Sequence, residues 1–277
     1  MNIQDIVKIL TDSGIEPNEA NIEVKMLIEH FADFGVKDII MGNKLDPAKL
    51  EIVRKKAELR AKTRQPIQHI IGFADFMGEK FIVNKDVLIP RDETEILVRK
   101  AIEIINKNNF KMALDVGTGS GCIACMVAKY TDCQIIGLDI SRDALNTALD
   151  NASRLNLFNK AIFRKSDVFS NVKPGESFDV IISNPPYIPP SQKTNIQIEV
   201  KFDPEMALYT TDEKGLEFYE KITKGAPDIL NKGGYLLFEL GIDQSQDVQE
   251  IMQKNGFNEI EIIKDLTGID RVILGKI

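Results

Sequence analysis

The chain of 277 residues is 43% hydrophobic and 28% charged, which excludes a disordered protein and leaves room for one large domain with a smaller one. Its net charge of -7 disfavours nucleic acid as the main substrate, because proteins that grip a phosphate backbone usually present a basic surface. With two histidines and three cysteines, zinc sites and histidine-based triads are nearly excluded, and we expect no metal.

The predicted elements begin with a helical region over residues 1–72. Apolar side chains recur there at three- and four-residue spacing, and Asp46 followed by Pro47 is typical of a helix N-cap with a first-turn proline. We expect a small bundle of four or five helices. The start of the chain lacks the features of a signal peptide, and no apolar run approaches the ~18–20 residues of a membrane span. A cytoplasmic protein without membrane association is therefore predicted.

Residues 73–90 have a different pattern, with short β-branched and aromatic runs that predict a hairpin linker. Strand-like and helix-like segments then alternate over residues 91–277, which is typical of a parallel sheet covered by helices. At the start of this region, Asp92 and Glu95 have the spacing of a capping box. The predicted fold class is a doubly wound α/β domain behind a small helical bundle, closed by a final pair of strands.

The first motif with chemical meaning is a glycine-rich loop between a predicted strand and a predicted helix, Asp115-Val-Gly-Thr-Gly-Ser-Gly. Gly117, Gly119 and Gly121 allow the backbone to turn sharply and to approach a ligand closely. The spacing differs from the dinucleotide fingerprint, because Cys122 stands where that fingerprint needs its third glycine. A tight turn without a ligand is the alternative.

Asp139 ends the next predicted strand, 22 positions after Gly117. A carboxylate at this place can accept the hydroxyl protons of an adenosine ribose, whichever adenosine-containing cofactor carries it. The alternative is a helix cap, a part that Ser141 can equally play.

The motif Asn184-Pro185-Pro186-Tyr187 follows the apolar strand FDVIIS and is therefore expected at the carboxyl edge of the sheet. An amide nitrogen is a poor nucleophile because its lone pair is delocalised, so it needs acceptors for both of its N–H bonds. The Asn184 side-chain oxygen and the Pro185 carbonyl can accept them. The two prolines stiffen the turn, and Tyr187 offers a flat face for a planar group. A proline-rich turn without function is the alternative.

Taken together, the glycine loop, Asp139 and the Asn-Pro-Pro-Tyr motif resemble the class I S-adenosylmethionine-dependent methyltransferases, which have a Rossmann-like fold. Further elements resemble one branch of them, the peptide-chain release factor glutamine N5-methyltransferases: Leu88–Glu95, Lys201–Pro204, Ala207-Leu208, Gly215-Leu216 and Arg271-Val272. The resemblance runs from Gln65 to the C-terminus. This sequence has Asp92, Met77 and Asp203 where the branch usually has proline, an aromatic residue and glutamate.

The resemblance implies an enzyme that transfers a methyl group from S-adenosylmethionine to the side-chain amide nitrogen (N5) of a glutamine. That glutamine belongs to the Gly-Gly-Gln motif of peptide-chain release factors, whose methylation modulates translation termination. The acceptor amide is assigned to Asn184, Pro185, Pro186 and Tyr187, with Asn184, Pro185 and Tyr187 as the catalytic set. Cofactor contacts are expected from Thr94, Gly117, Thr118, Gly119, Ser120, Gly121, Asp139, Asp167, Val168 and Asn184.

The sequence leaves three alternative functions open. A nucleic-acid adenine N6-methyltransferase uses the same motif on a flipped base but should carry a basic binding module, which this acidic chain lacks. A translation-associated binding protein can retain the cofactor for stability alone. A nicotinamide-dependent oxidoreductase is the weakest alternative because of the glycine spacing.

The remaining predictions concern docking, association and the cysteines. A glutamine on a flexible loop offers little surface for affinity, so residues 1–72 are expected to dock the release factor to a monomeric enzyme. The basic stretch 49–64 fits a solvated helix face or a patch for that partner or ribosomal RNA. Cys122 and Cys125 have a C-x-x-C spacing, which we interpret as packing and not as redox chemistry.

Overall fold

The computed structural model describes residues 2–277 and divides into two compact units. The first, called the helical unit, runs to Phe73 and also contains the segment Gln197–Phe202. The second, called the α/β unit, comprises Ala74–Ile196 and Asp203–Ile277. The chain thus leaves the α/β unit and re-enters it around one short segment, which no pattern in the sequence indicates.

Between residues 2 and 72, the helical unit contains helices α1 (Ile3–Asp12), α2 (Pro17–Ala32), α3 (Val36–Ile40), α4 (Pro47–Thr63) and α5 (Ile67–Ile71). The predicted bundle is confirmed over these residues, and Met1 lies outside the described part of the chain. Helix α4 begins as predicted, because the Asp46 side chain accepts a hydrogen bond from the Ala48 N–H and Pro47 occupies the first turn. Apolar side chains of α1, α2 and α4 form a core that belongs to this unit.

A cluster of charged side chains lies inside the helical unit. Arg60 of α4 is only 1% exposed, and its Nε donates to both carboxylate oxygens of Glu23 at 3.0 Å. Its Nη1 donates to Oε1 of Glu199 at 3.0 Å, and the same oxygen lies 2.6 Å from Nη2 of Arg64. Because a buried arginine keeps its proton, these carboxylates are needed to offset the cost of burying its charge.

These contacts change the interpretation of the basic stretch 49–64. All three of its arginines form ion pairs with carboxylates of the helical unit. Lys55 and Lys62 are exposed. The arginines therefore stabilise the unit itself, and the exposed lysines are what this stretch can offer to a partner.

The α/β unit alternates strands and helices. Its strands are β1 (Phe73–Phe76), which starts at the unit boundary, β2 (Glu79–Ile82), β3 (Met112–Val116), β4 (Gln134–Asp139), β5 (Ala161–Lys165), β6 (Phe178–Ser183), β7 (Leu230–Glu239), β8 (Asn258–Lys264) and β9 (Asp270–Lys276). Its helices are α6 (Thr94–Asn108), α7 (Cys122–Tyr130), α8 (Arg142–Arg154), α9 (Glu205–Leu208), α10 (Glu217–Gly225) and α11 (Ser245–Lys254). Strands β1 and β2 form the predicted hairpin.

Strands β3 to β9 form one sheet in the order β5-β4-β3-β6-β7-β9-β8. Neighbouring strands are parallel except β9, which runs antiparallel to β7 and to β8. Apolar side chains cover both faces, as parallel strands between helices require. The strand order changes direction between β3 and β6, which opens a crevice at their carboxyl ends. The predicted doubly wound fold and its closing strand pair are confirmed.

The predicted capping box at the start of α6 is wrong. The N-cap residue is Glu93, and it makes no side-chain capping hydrogen bond. The Glu95 carboxylate accepts instead from the Met77 backbone N–H at 2.6 Å and from Arg99 Nη2 at 2.8 Å. The Glu95 side chain thus binds the backbone of the β1–β2 hairpin instead of the start of its own helix. Helix α10 ends at Gly225, immediately before a 3-10 turn that contains Pro227, because proline disrupts a helix interior.

The three cysteines, Cys122, Cys125 and Cys133, are buried and free. All lie in the apolar core on one face of the sheet, which confirms the packing interpretation of the C-x-x-C spacing. Burial raises the pKa of the Cys122 and Cys133 thiols to about 12, which keeps them protonated and unreactive. Separately, no helix within residues 2–277 has the length and apolar composition of a membrane span.

Candidate active site

A cavity of about 370 Å³ lies at the carboxyl ends of β3, β4 and β6, at the crevice where the strand order changes. Its volume is within the range of about 300–1,000 Å³ that small-molecule sites occupy. The predicted site residues that line it are Gly117, Gly119, Asp139, Asp167, Val168, Asn184, Pro185 and Pro186. All the motifs singled out from the sequence at strand ends thus meet in one cavity.

The glycine loop reaches the cavity through two of its three glycines. Gly117 and Gly119 have φ angles of 76° and 53°, a region that side-chain-bearing residues rarely adopt. A Cβ atom at either position would meet nothing within 4 Å, so the space over the loop is open. Gly121 has another role, because its Cβ would lie 2.9 Å from the Cβ of Ala148 in α8. It permits close packing of α7 on α8 and does not line the cavity.

The two residues between these glycines, Thr118 and Ser120, point into the protein interior. Thr118 is 3% exposed, and its hydroxyl donates to Oδ2 of Asp115 at 2.6 Å. Ser120 is also buried, and its carbonyl accepts from Asn151 Nδ2 at 2.9 Å. The structure therefore does not bring the side chains of Thr118 and Ser120 to the cavity.

Asp115, at the end of β3, is a fully buried carboxyl group. Its Oδ1 has no hydrogen-bond partner within the described residues. Burial raises its pKa to about 7, against the opposing effect of the Thr118 hydroxyl. A buried carboxyl with one free oxygen directly beneath the glycine loop is a feature that the sequence motif does not reveal.

Asp139 is held at the cavity wall by backbone hydrogen bonds. Its Oδ2 accepts from the Gly119 N–H and its Oδ1 from the Ser141 N–H, both at 2.9 Å. The cap of α8 is Ser141, whose hydroxyl oxygen accepts from the Ala144 N–H. Asp139 is therefore not the helix cap, and its carboxylate keeps lone pairs for a ligand. Burial raises its pKa above the ordinary value, while these two N–H groups act in the opposite direction.

The wall next to Asp139 is mostly apolar. Val168 has a φ angle of 46°, which is strained for a β-branched residue, and the Ser166 hydroxyl donates to its carbonyl at 2.8 Å. Strain of this kind is characteristic of ligand sites. Phe218 and Lys221 of α10 complete this wall, although no pattern in the sequence had marked them.

Asn184 is oriented by two buried residues, neither of which belongs to its own motif. Its Nδ2 donates to the Thr94 hydroxyl at 3.3 Å, and that hydroxyl donates to Oε2 of Glu239 at 2.6 Å. Thr94 is 2% and Glu239 3% exposed. Thr94 does not line the cavity, so the structure places the predicted cofactor contact behind Asn184 instead. The Oδ1 atom of Asn184 remains available to a ligand in the cavity.

The backbone after the two prolines is clamped. Gln244 Nε2 donates to the Tyr187 carbonyl at 3.1 Å, and a Cβ at Gly215 would lie only 2.1 Å from that oxygen. At Gly241, a Cβ would come within 2.9 Å of Tyr187 Cδ2. Burial raises the pKa of the Tyr187 phenol well above its usual range. Tyr187 is half-buried and is not among the cavity-lining residues, so its ring is not displayed there as Asn184 is.

Two of the branch-specific elements bind each other. Arg91 Nη2 lies 2.6 Å from Oδ2 of Asp203, and the Ile89 N–H donates to Oδ1 at 3.4 Å. Burial raises the pKa of Asp203 to about 6, and the charge of Arg91 opposes that rise. Asp203, which stands where the branch usually has glutamate, therefore forms an ion pair that holds these two segments together. Four residues that follow it line the cavity, namely Pro204, Met206, Ala207 and Tyr209.

The residues that sequence reasoning missed are Glu239, Gln244, Phe218 and Lys221. A signal existed for Glu239, because an acidic residue that ends a buried strand faces the same sheet edge as Asn184. No local signal marks the other three. Within residues 2–277, no cluster of His, Cys, Asp or Glu side chains is arranged to hold a metal ion.

Comparisons with known proteins agree with this geometry. The sequence profile of the family "Methyltransferase small domain" matches residues 92–202. The chain is 38% identical over 261 residues to "Release factor glutamine methyltransferase" of Neisseria gonorrhoeae, which covers 92% of this chain and 93% of that protein. It is 40% identical over 216 residues to the protein of the same name from Clostridium acetobutylicum, which covers 77% and 75%.

Among solved structures, a methyltransferase from Pyrococcus furiosus superposes with a TM-score of 0.53 at 20% identity. The superposition covers 73% of this chain and 90% of that one. At this identity the likeness establishes only the fold, which agrees with the strand order of the sheet.

Proposed function

The chain belongs to the release factor glutamine methyltransferases, and from this premise we propose how its cavity carries out the reaction. It transfers a methyl group from S-adenosylmethionine to a glutamine side chain of a peptide-chain release factor. The finer part of the proposal is that the acceptor is the amide nitrogen, N5, of the glutamine in the Gly-Gly-Gln motif. The observation that supports it is that Asn184 lies in one cavity with the glycine loop and Asp139.

The residues of the cavity fit the methyl donor. The open space over Gly117 and Gly119 suits the methionyl part, because no side chain fills it. Asp139 suits the ribose, since two backbone N–H groups hold its carboxylate at the wall. The apolar wall around Val168 and Phe218 suits the adenine, with Asp167 beside it.

S-adenosylmethionine supplies an electrophilic methyl group on a positively charged sulfur. The protein's task is then to orient the acceptor amide. Oδ1 of Asn184 accepts one N–H, and the carbonyl of Pro185 accepts the other. With both protons engaged, the nitrogen lone pair can turn out of the amide plane towards the methyl group. Catalysis is mainly alignment, because the methylated nitrogen is acidic and loses its proton without a strong base.

Tyr187 keeps a proposed role that is indirect. Its clamped carbonyl holds the backbone of the Pro185-Pro186 turn, and with it the acceptor carbonyl of Pro185. Stacking of the Tyr187 ring on the acceptor amide, as predicted from the motif, remains a prediction.

The helical unit is proposed to bind the body of the release factor while the glutamine enters the cavity. The exposed Lys55 and Lys62 are the side chains of the basic stretch that are available to it. A monomeric state and a cytoplasmic location also remain predictions.

The experiment uses labelled S-adenosylmethionine, the purified protein and a purified release factor. We expect label on the wild-type factor and none on a factor whose Gly-Gly-Gln glutamine is replaced by alanine. Labelling that persists on the altered factor would reject the assigned glutamine. An adenine-containing DNA is included as a competitor, and preferential labelling of the DNA would favour the adenine methyltransferase instead.

A further inference from the structure

We propose that Glu239, together with Thr94, fixes which end of the Asn184 amide faces the cavity. Glu239 is thereby a positioning residue for the acceptor nitrogen. This inference rests on the proposed function, because the orientation of Asn184 matters only if its oxygen binds a substrate N–H.

The sheet brings the three residues together. In the parallel pairing of β6 and β7, Ser183 lies opposite Phe238. Asn184 follows the last residue of β6 and Glu239 is the last residue of β7, so both lie at the same edge of the sheet. Thr94, the first residue of α6, lies between them with hydrogen bonds of 3.3 Å and 2.6 Å to the two side chains.

An asparagine side chain needs such a device. Its oxygen and its NH₂ group have nearly the same shape, so packing alone does not distinguish the two orientations. Only one of them is useful here. With the oxygen towards the cavity, Asn184 accepts a substrate N–H, whereas the flipped amide would present its own N–H bonds to the substrate.

The ionised Glu239 selects the useful orientation through hydrogen-bond polarity. A carboxylate accepts hydrogen bonds and cannot donate them, so the Thr94 hydroxyl must donate to it. Thr94 then has only lone pairs left for Asn184, which must turn its NH₂ group towards Thr94 and its oxygen towards the cavity. The Asn184 N–H group also lowers the pKa of Glu239, because it stabilises the carboxylate, and this effect favours the same orientation.

The surroundings of Glu239 bring its pKa close to neutral pH, so that both protonation states are accessible. Burial, together with the charge of Glu93 at the start of α6, raises its pKa to about 7. Arg271 of β9 opposes this, although its Nε is bound to Asp265 at 2.9 Å. The Tyr219 hydroxyl of α10 binds the backbone carbonyl of Glu239 and not its side chain. Protonation of Glu239 would allow it to donate to Thr94 and would remove the constraint on Asn184.

The test compares methyl transfer by wild type, Glu239→Gln and Thr94→Val from pH 6 to 8.5, with S-adenosylmethionine binding measured by calorimetry. A charge-assisted hydrogen bond is at stake, so kcat should fall about tenfold or more in both variants at pH 8. The affinity for S-adenosylmethionine should stay within about twofold. The rate of the wild type should decline below about pH 7, and this acid limb should be absent from Glu239→Gln.

Two further variants separate positioning from a general structural effect. Glu93→Gln is the matched control, since it removes a neighbouring carboxylate that makes no hydrogen bond to Thr94 or Asn184 within the described residues. Its rate at pH 8 should equal that of the wild type, while its acid limb moves to lower pH. Thr94→Ser restores the hydroxyl and should recover most of the rate lost in Thr94→Val.

A measurement without turnover separates a failure of this inference from a failure of the proposed function. The side-chain NH₂ signal of Asn184, identified by its loss in Asn184→Ala, is followed by ¹⁵N NMR against pH. It should titrate near pH 7 in the wild type and not in Glu239→Gln. The inference is overturned if the signal behaves alike in both proteins, or if Glu239→Gln keeps the wild-type kcat and acid limb. A wild type that titrates as expected but methylates no release factor would contradict the proposed function alone.

Discussion

Arg60 in the helical unit and Glu239 in the α/β unit are both almost fully buried, yet their polar groups are satisfied in different ways. Arg60 is surrounded by carboxylates, with Glu23 and Glu199 at 3.0 Å. Glu239 is bound by the Thr94 hydroxyl at 2.6 Å, and Asp115, in the same unit, by the Thr118 hydroxyl at the same distance. The buried charge of Arg60 is thus balanced by opposite charges, whereas Glu239 and Asp115 each accept a hydrogen bond from a hydroxyl group.

The difference has a consequence for pH. The pKa of Arg60 is raised above its already high value by its acidic partners, against the effect of burial, so the cluster keeps its cation at any neutral pH. Burial raises the pKa of Asp115 and of Glu239 to about 7, where both protonation states are accessible. Opposite charges keep Arg60 in one protonation state, whereas buried carboxyl groups with strongly raised pKa values are typical of a functional site.

The largest effect is expected when Arg60 is removed from the buried ion pairs of the helical unit. Arg60→Ala leaves Glu23 buried without its partner and should lower the free energy of unfolding of the helical unit by about 3–5 kcal/mol. Chemical denaturation measures it. The control Arg54→Ala removes partly exposed pairs and should cost less than about 1 kcal/mol. If Arg60→Met combined with Glu23→Met is as unstable as Arg60→Ala, the lost packing and not the uncompensated charge is responsible.

The next effect concerns the acceptor site. Asn184→Ala removes the oxygen that binds the substrate N–H and should lower kcat by about 10²–10³-fold, as the loss of one preorganised hydrogen bond does in other active sites. Steady-state kinetics with saturating S-adenosylmethionine measures it. Calorimetry on the same variant should give a nearly unchanged dissociation constant for the cofactor. Turnover near the wild-type value would remove Asn184 from the mechanism.

Asp139→Ala should show the opposite pattern. The carboxylate contributes a charged hydrogen bond worth ~1.5–3 kcal/mol, so the affinity for S-adenosylmethionine should weaken about ten- to a hundredfold. The exposed Asp143, on the first turn of α8, provides the control, and Asp143→Ala should bind the cofactor as the wild type does. An unchanged affinity of Asp139→Ala in calorimetry would reject the ribose assignment.

The smallest expected effect is the contribution of Glu239 to the pH dependence of the unfolding free energy. The folded-state pKa of Glu239 lies above its ordinary value, so its contribution to stability is lost as pH rises towards about 7. The free energy of unfolding of Glu239→Gln relative to the wild type should therefore increase from pH 5 to pH 8, by about 1–3 kcal/mol. Asp115 titrates in both proteins, so the difference between their unfolding free energies isolates Glu239. A difference that does not vary with pH would contradict the raised pKa.

Much of the fold and the outline of the site could be predicted because their signals are local. Apolar runs mark the strands, Gly117 and Gly119 mark the turn from β3 into α7, and a strand followed by Asn184-Pro185 places that motif at the sheet edge. Such patterns depend on neighbours within a few residues, so the sequence displays them directly.

The partnerships behind the site could not be predicted because they are not local. Thr94 and Glu239 are 145 positions apart, Arg91 and Asp203 are 112 apart, and Arg60 and Glu199 are 139 apart. The glycine loop is also held by a distant partner, because Asn151 Nδ2 donates to the Ser120 carbonyl from 31 positions away. A motif identifies which residues matter but not the buried groups that orient them.

The proposed reaction is tested most directly by tandem mass spectrometry of a purified release factor after incubation with the protein and S-adenosylmethionine. We expect one added methyl group on the side-chain nitrogen of the Gly-Gly-Gln glutamine with the wild type, and an unmodified peptide with Asn184→Ala over the same time. A methyl group on any other residue, or equal modification by both proteins, would contradict it.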